Sequence, residues 1–393
     1  DNAIDGLRVR YRPAKGIELK GLIGKQRKFW DLSDGIVRGA DLNISLTDVF
    51  DGLFPSTSQV TFGASVVSKF EQSTDMTLNL PENVLAWSTR LGINGSWYNA
   101  DAEFAYKYND PHEANEYSFN PGTGLIVNTS VFGDGIGFSL NLHRIDNMDF
   151  RTDRSSALTT TTLSYVPPLT RQHAYRLTSM YPFSTQLNGE VGLQAEFTYS
   201  FPDDSPLGKG ASMTLNYSIV KAIDTTSKGN DSLRQYNSNF FSTGDRTYFQ
   251  DFNIDFAKKW SPKFKTNFTL ALMSYDKDVI GGHEGFGKVN TITTVLEGTY
   301  KLTTTNSLRF ELQHMFFKQD STVRVEDNTN GNWAMALLEY TIPNWYFTIF
   351  DEYNYGNEFD DYKLHFPSAS IAFVHNSFRA QLGYGRQRQG VLC

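Results

Sequence analysis

The sequence predicts an all-β protein, an antiparallel transmembrane β-barrel, and three observations predict it. Apolar and polar residues alternate with period two from end to end, short and long connections alternate between these stretches, and aromatic residues crowd the stretch ends. The composition fits. Of the 393 residues 39% are hydrophobic, but Phe, Tyr and Trp alone make up 14% of the chain, which disfavours Ala- and Leu-rich helical architectures. Mean hydropathy is -0.41, and the longest unbroken apolar run is residues 333–338. A membrane-spanning helix needs about 20 apolar residues, so none is expected. A transmembrane barrel, whose strands alternate lipid-facing and lumen-facing side chains, averages out to mildly polar.

The alternation is plainest in five stretches. In residues 248–259, Tyr248, Phe252, Ile254 and Phe256 fall on one face, and Asp251, Asn253 and Asp255 on the other. Residues 99–108 set Ala100, Ala102, Phe104 and Tyr106 against Asn99, Asp101, Glu103 and Lys107. Val191, Leu193, Ala195, Phe197 and Tyr199 oppose Glu190, Gln194 and Glu196, and Phe378, Ala380, Leu382 and Tyr384 oppose Arg379 and Gln381. Near the start, Leu7, Val9 and Tyr11 oppose Arg8, Arg10 and Arg12. Each reads as a ribbon with one greasy and one wet side, and three alternate arginines suit a water-filled lumen.

Turn-forming residues occur at Lys15-Gly16, Asn94-Gly95-Ser96, Gly133-Asp134-Gly135, Pro167-Pro168, Ser261-Pro262, 303–306, Pro343-Asn344 and 375–377. Longer polar loops are expected at 109–121, 146–156, 224–245, 276–287, 319–331 and 355–361. Short and long connections then alternate throughout, provided the threonine-rich residues 157–166 form a strand. This is the pattern of short periplasmic turns and longer extracellular loops. The tally is about 20 strands in one domain spanning residues 1–393, at about 20 residues per strand plus connection. Both ends fall on the extracellular side, so strands are expected to be missing from each, and the full barrel to have at least about 22. Aromatic pairs such as Trp97-Tyr98, Tyr248-Phe249 and Phe316-Phe317 read as interfacial girdles.

Charge excludes some functions. The net charge of -7 is spread without a basic block, against a nucleic-acid partner. Cys393 is the single cysteine, so no internal disulfide or cysteine metal cluster can form. Of the histidines His112, His143, His173, His283, His314, His365 and His375, His143 faces the lumen by parity without a serine motif, and His314 falls on the lipid side. A rim hydrolase would need a nucleophile beside a base, so no catalytic residue is expected. Residues 281–285 and 326–331 offer ligand-type side chains but do not complete a calcium loop. No metal or cofactor is expected.

The inward ionic residues say more. Parity places Arg8, Arg10, Arg12, Asp251, Asp255, Glu297, Arg309, Glu311 and Arg379 toward the lumen, together with Lys259, Lys301, Glu339 and Asp351, with Arg386 and Arg388 less regular. They could select solutes by charge or brace neighbouring strands in opposite-sign pairs. Their mixed signs favour bracing.

Three stretches carry a resemblance: YVPPLTRQHAYRL at 165–177, GNWAMALLEY at 331–340, and KLHFPS at 363–368 together with the ending RQGVLC. With these the chain resembles an uncharacterised family, a domain of unknown function, of large outer-membrane β-barrel proteins of Bacteroidota. The resemblance implies a Gram-negative outer-membrane location, strands before Asp1, and a second cysteine and a terminal strand after Cys393; it carries no mechanism. Two functions follow as expectations. One is a non-enzymatic structural or accessory barrel of a larger complex for protein assembly, export or surface display. The other is a porin-like channel or transporter for small polar solutes. The mixed-sign interior and the lack of an internal plug domain in the sequence speak for the first. Expected partners are outer-membrane lipid and lipopolysaccharide, and other outer-membrane proteins or lipoproteins.

Overall fold

The computed structural model describes residues 3–388, apart from 74, 76, 157, 158, 230–232 and 283. Eighteen strands form one sheet. The first eight are β1 (Ile4–Ala14), β2 (Ile17–Lys28), β3 (Asp31–Ser45), β4 (Gln59–Phe70), β5 (Asn83–Asn94), β6 (Tyr98–Lys107), β7 (Gly122–Gly133) and β8 (Ile136–Asp146). After a long interruption come β9 (Gly189–Ser200), β10 (Ala211–Ser227), β11 (Tyr236–Lys259), β12 (Phe264–Asp276) and β13 (Lys288–Lys301). The last are β14 (Ser307–Asp320), β15 (Trp333–Ile342), β16 (Trp345–Asn354), β17 (Ser368–His375) and β18 (Phe378–Gly385). Each strand pairs antiparallel with the next along the chain. Among the described residues no ladder joins β1 to β18. Helix is confined to short pieces, α1 (Leu46–Val49) and α2 (Lys277–Ile280) being the α-helical ones, and no helix is long and apolar enough to cross a membrane.

Connections on one rim are mostly tight. The β7–β8 turn, Asp134-Gly135, has both residues at positive φ (38° and 81°), the mirror-image turn that matches strand twist and that glycine accommodates. Opposite lies a rim of long connections, at 71–82, 108–121, 147–188, 277–287, 321–332 and 355–367. The regularity has exceptions. The β2–β3 link on the long-loop rim is only Phe29 and Trp30, while 46–58 and 201–210 are long links on the turn rim.

The outer face is apolar and uncovered. Leu312 is 50% exposed and Ile349 58%, with Leu91, Phe316 and Leu338 alongside. The inner face is polar toward the turn rim and packed toward the loop rim. There Trp333, Met315, Phe249 and Val289 are buried against Leu177, Met180, Tyr181 and Phe183 of the 147–188 connection.

Several sequence expectations need correction. Among the described residues there are 18 strands where about 20 are expected, and residues 159–166 of the threonine-rich stretch do not form one; residues 157 and 158 lie outside the described ones. Threonine favours strands only where a pleated neighbour and a buried face reward it. Here Thr159–Thr161 is a 3₁₀ turn, and a single bridge joins Thr162 to Arg151. Pro167-Pro168 joins no two strands: two successive residues without N–H cannot serve a ladder, and they run inside the sheet's curve. The connection 147–188, a link between two wall strands and not a separate plug domain, packs into interior space. Residues 224–245 are not one loop. β10 and β11 run on as a hairpin whose link is 228–235, with register shifts past Val220. Phe249 and Phe317 point inward, since adjacent strand residues face opposite ways, so only one member of each aromatic pair can belong to a girdle.

Trp333 is the largest wholly buried side chain. Trp333→Ala is expected to cost about 3–5 kcal/mol, read as a lower urea midpoint for the lipid-reconstituted protein. Phe241→Ser, at a ring 96% exposed, should leave the midpoint within about 0.5 kcal/mol.

Candidate functional site: the occupied interior

Residues 147–188 leave the wall at Asp146 and rejoin it at Gly189, its ladder partner. The first limb is held by β2, β4 and β6. Lys69 and Lys107 are wholly buried, which is tolerable only if each ammonium is paired or hydrogen-bonded. Lys69 Nζ donates to the carbonyl of Arg151 at 2.6 Å and pairs with the buried Asp110 at 2.9 Å. Lys107 Nζ donates to the carbonyl of Asp149 at 2.5 Å. The Arg151 guanidinium grips Asp149 at 2.8–3.0 Å, the Arg154 amide donates to Glu71 at 3.0 Å, and Lys28 pairs with Asp153 at 2.6 Å. From β2, Gln26 donates to the carbonyls of Thr160 and Thr162.

The second limb crosses to β11–β16. Arg171 pairs with Asp255 and donates to Asn253 at 2.9 Å. His173 Nε2 lies 2.8 Å from Asp251 Oδ2, and the Tyr175 hydroxyl donates to Glu297 at 3.3 Å while accepting from Asn267 at 2.8 Å. Arg176 pairs with the buried Glu352, and the Leu177 amide donates to Gln313 at 2.8 Å. In these pairs the basic side chains come from the limb and the carboxylates from the wall.

Asp251, Asp255, Glu297, Arg309 and Glu311 are thus gathered on one interior wall. Arg309 joins Glu297 at 3.1 Å and also contacts Glu311. Arg8, Arg10 and Arg12 lie on the face of β1 opposite Leu7, Val9 and Tyr11. Arg10 and Arg12 donate to Glu18 at 2.6 and 2.8 Å, far from the acidic wall's strands. Arg379, exposed on the terminal strand, donates to Gln381 at 3.0 Å. Glu339 faces inward beside Thr348. Asp351 does not: it shares the outward parity of Ile349 and meets His365 at 2.6 Å near the loop rim, while its neighbour Glu352 takes the inward place. Arg388 lies 3.6 Å from Glu352 and above the Trp333 ring. The Arg- and His-bearing stretch 171–176 went unrecognised as an interior element. Its signal was charge, three basic side chains in six residues facing a set of strands with unpaired inward acids.

His143 is buried, with Nε2 2.5 Å from Glu190 Oε1, and His314 faces outward beside Phe316, its Nε2 2.7 Å from the Tyr355 hydroxyl. His283 lies outside the described residues. In the 326–331 loop, Asp327 receives Lys277 Nζ at 2.6 Å. Burial would raise that carboxyl, but Lys277 and the Thr329 amide hold it below the usual range. The loop's polar groups therefore knit the rim together, and among the described residues no three His, Cys, Asp or Glu side chains are grouped to hold a metal.

Two outcomes follow. Asp110→Ala, which leaves the buried Lys69 ammonium with the Arg151 carbonyl and with Glu71 at 3.5 Å, should destabilise by up to about 3–5 kcal/mol by urea unfolding. His112, in the 108–121 loop, is pushed down from 6.5 to about 4 by burial and by Lys107, against the pull of Asp110 and Asp149. The opened loop therefore binds a proton more readily than the closed one. Its closure is complete above pH 6.5 and weakens as pH falls toward 4. Amide protection across 108–121, corrected for the intrinsic pH dependence of exchange, should fall over that window, and His112→Gln should flatten the dependence.

Among solved structures the chain is similar to the copper transporter OprC (13% identity, TM-score 0.39), covering 96% of this chain and 64% of that one. It is also similar to OpdK of Pseudomonas aeruginosa, determined with vanillate (12%, 0.38), covering 93% and 91%. A mutant of the ferric enterobactin receptor PfeA of Pseudomonas aeruginosa is a third (10%, 0.40), covering 96% and 63%. The chain thus spans under two thirds of the length of OprC and of the receptor. In sequence it matches none of the curated proteins. One family does match, over residues 1–393, and the chain belongs to it: the family of unknown function DUF6029.

Proposed function

We propose that this chain is a non-enzymatic, integral outer-membrane β-barrel protein serving as a structural or accessory subunit of a larger outer-membrane complex, in protein assembly, export or surface display. The observation that carries this reading is the occupied interior. Residues 147–188 are packed against the acidic wall, paired through Arg171, His173 and Arg176 with β11 and β16, and held to β4 and β6 by hydrogen bonds from the buried Lys69 and Lys107 to backbone carbonyls. An interior whose charges are spent on one another braces a wall, and leaves little field to select a solute. The uncovered apolar outer face supports a lipid setting, with outer-membrane lipid and lipopolysaccharide around it and other outer-membrane proteins or lipoproteins as partners. The Bacteroidota setting rests on the sequence resemblance alone.

A porin-like role is the second reading, and one observation favours it. Toward the turn rim the interior stays polar and open, with Arg10 and Arg12 more than half exposed.

Mild-detergent extraction at native expression, followed by mass spectrometry and planar-bilayer recording, separates the two. Stable partners and no steady conductance are expected. A homogeneous species with steady conductance would overturn the subunit reading. Replacing residues 147–188 with a two-residue turn should create conductance. If that variant does not fold, Arg171→Ala, His173→Ala and Arg176→Ala together should raise leak events, because they release the second limb while leaving the first in place.

A further inference from the structure

Between the 147–188 connection and the inner faces of β4–β8 lies a half-enclosed cavity of about 250 Å³. Its floor follows from register. Ser65, Ser88, Ala105, Gly124 and Ile145 stand directly opposite one another across five successive strands, so four small side chains in a row leave a trough. Met148, Phe150 and Leu163 of the connection lie over it. One end is shut by Lys107, whose ammonium is already committed to the Asp149 carbonyl. The other opens toward the turn-rim interior at Glu103. The Glu103 carboxylate is 37% exposed and stands 4.0 Å from Arg90 Nη1, beyond hydrogen-bond distance. Arg90 itself is engaged by Ser65 and Asp41, so Glu103 keeps acceptor capacity at the mouth.

We propose that this recess is a binding site for a small amphipathic molecule, its apolar body about one substituted aromatic ring in size and its single hydroxyl donating to Glu103. Size sets the first part. An apolar cavity of about 150 Å³ takes up benzene, so the space here admits a ring with substituents. The second part follows from the polarity gradient: mostly apolar walls broken by Ser65 and Ser88, a closed end whose ammonium is already hydrogen-bonded, and a carboxylate acceptor at the entrance. The site does not depend on whether the barrel conducts.

The test is ¹⁹F NMR titration of the full chain in lipid nanodiscs with 4-fluorophenol and with fluorobenzene, against empty nanodiscs. Saturable binding of both probes is expected. Gly124→Leu should weaken both at least tenfold, since a Cβ there meets only ordinary contacts, at 3.6 Å or more, with Met148 and Ile145, and the added side chain grows into the space. Ala105→Leu serves if that variant fails to fold. Gly137→Leu, on β8 outside the cavity, should change nothing. Glu103→Gln should weaken 4-fluorophenol several-fold and leave fluorobenzene unchanged. Absence of saturable binding, or binding indifferent to both cavity-filling variants, would overturn the site. Equal loss of the two probes in Glu103→Gln would overturn the placement of the hydroxyl.

Discussion

A β-ladder satisfies the backbone of every strand but leaves half of its side chains pointing at whatever the sheet encloses. The organisation of this protein answers that constraint. Buried inside the curve are Lys69, Lys107, Asp251, Glu311 and Glu352, charges that cannot stay unpaired without shifting to neutral forms or drawing in water. Residues 147–188 supply the missing partners. Carbonyls of Asp149 and Arg151 take the two lysines, and His173, Arg176 and the Leu177 amide take the opposite wall. Without that connection Asp251 would lose His173, and Glu352 would lose Arg176 and keep Arg388 at 3.6 Å.

The interior is divided by chemistry as well as by strand. Next to β10–β15 the connection packs through Leu177, Met180, Tyr181 and Phe183, where fully burying one such side chain stabilises by about 1.5–3 kcal/mol. Next to β4 and β6 it is held by hydrogen bonds from buried lysines to its carbonyls, and next to β11 and β16 Arg171, His173 and Arg176 add pairs with the wall carboxylates. The apolar contacts tolerate small shifts of their members. The charged contacts depend on geometry, since an ion pair in low dielectric is favourable only with its hydrogen bonds complete.

The wall was largely legible in the sequence, and its contents were not. Stretches such as 248–259 and 191–199 have one strong periodicity and one consistent face, so parity alone orients Asp251 or Glu190. Residues 157–177 have neither: a threonine run with no greasy side, two prolines, then isolated basic residues. Such a stretch takes its shape from tertiary partners more than a hundred positions away, as Gln26 and Glu352 are, and local pattern holds no trace of them. Asp351 and Glu352 mark the other limit. Parity was misjudged by one residue, and in a strand a shift of one exchanges the two faces completely.

The long connection also bears on how the sheet can assemble. It interrupts a run of local hairpins, leaving β1–β8 and β9–β18 as two blocks, each zippered from near neighbours. Only the β8–β9 ladder must close across the whole of 147–188. Loop closure grows slowly with length, about 0.6 kcal/mol per doubling, so the equilibrium penalty of that detour is minor. Its effect falls on order: contacts far apart in sequence form late, which makes the seam between β8 and β9, together with the filling of the interior, the natural last step of folding.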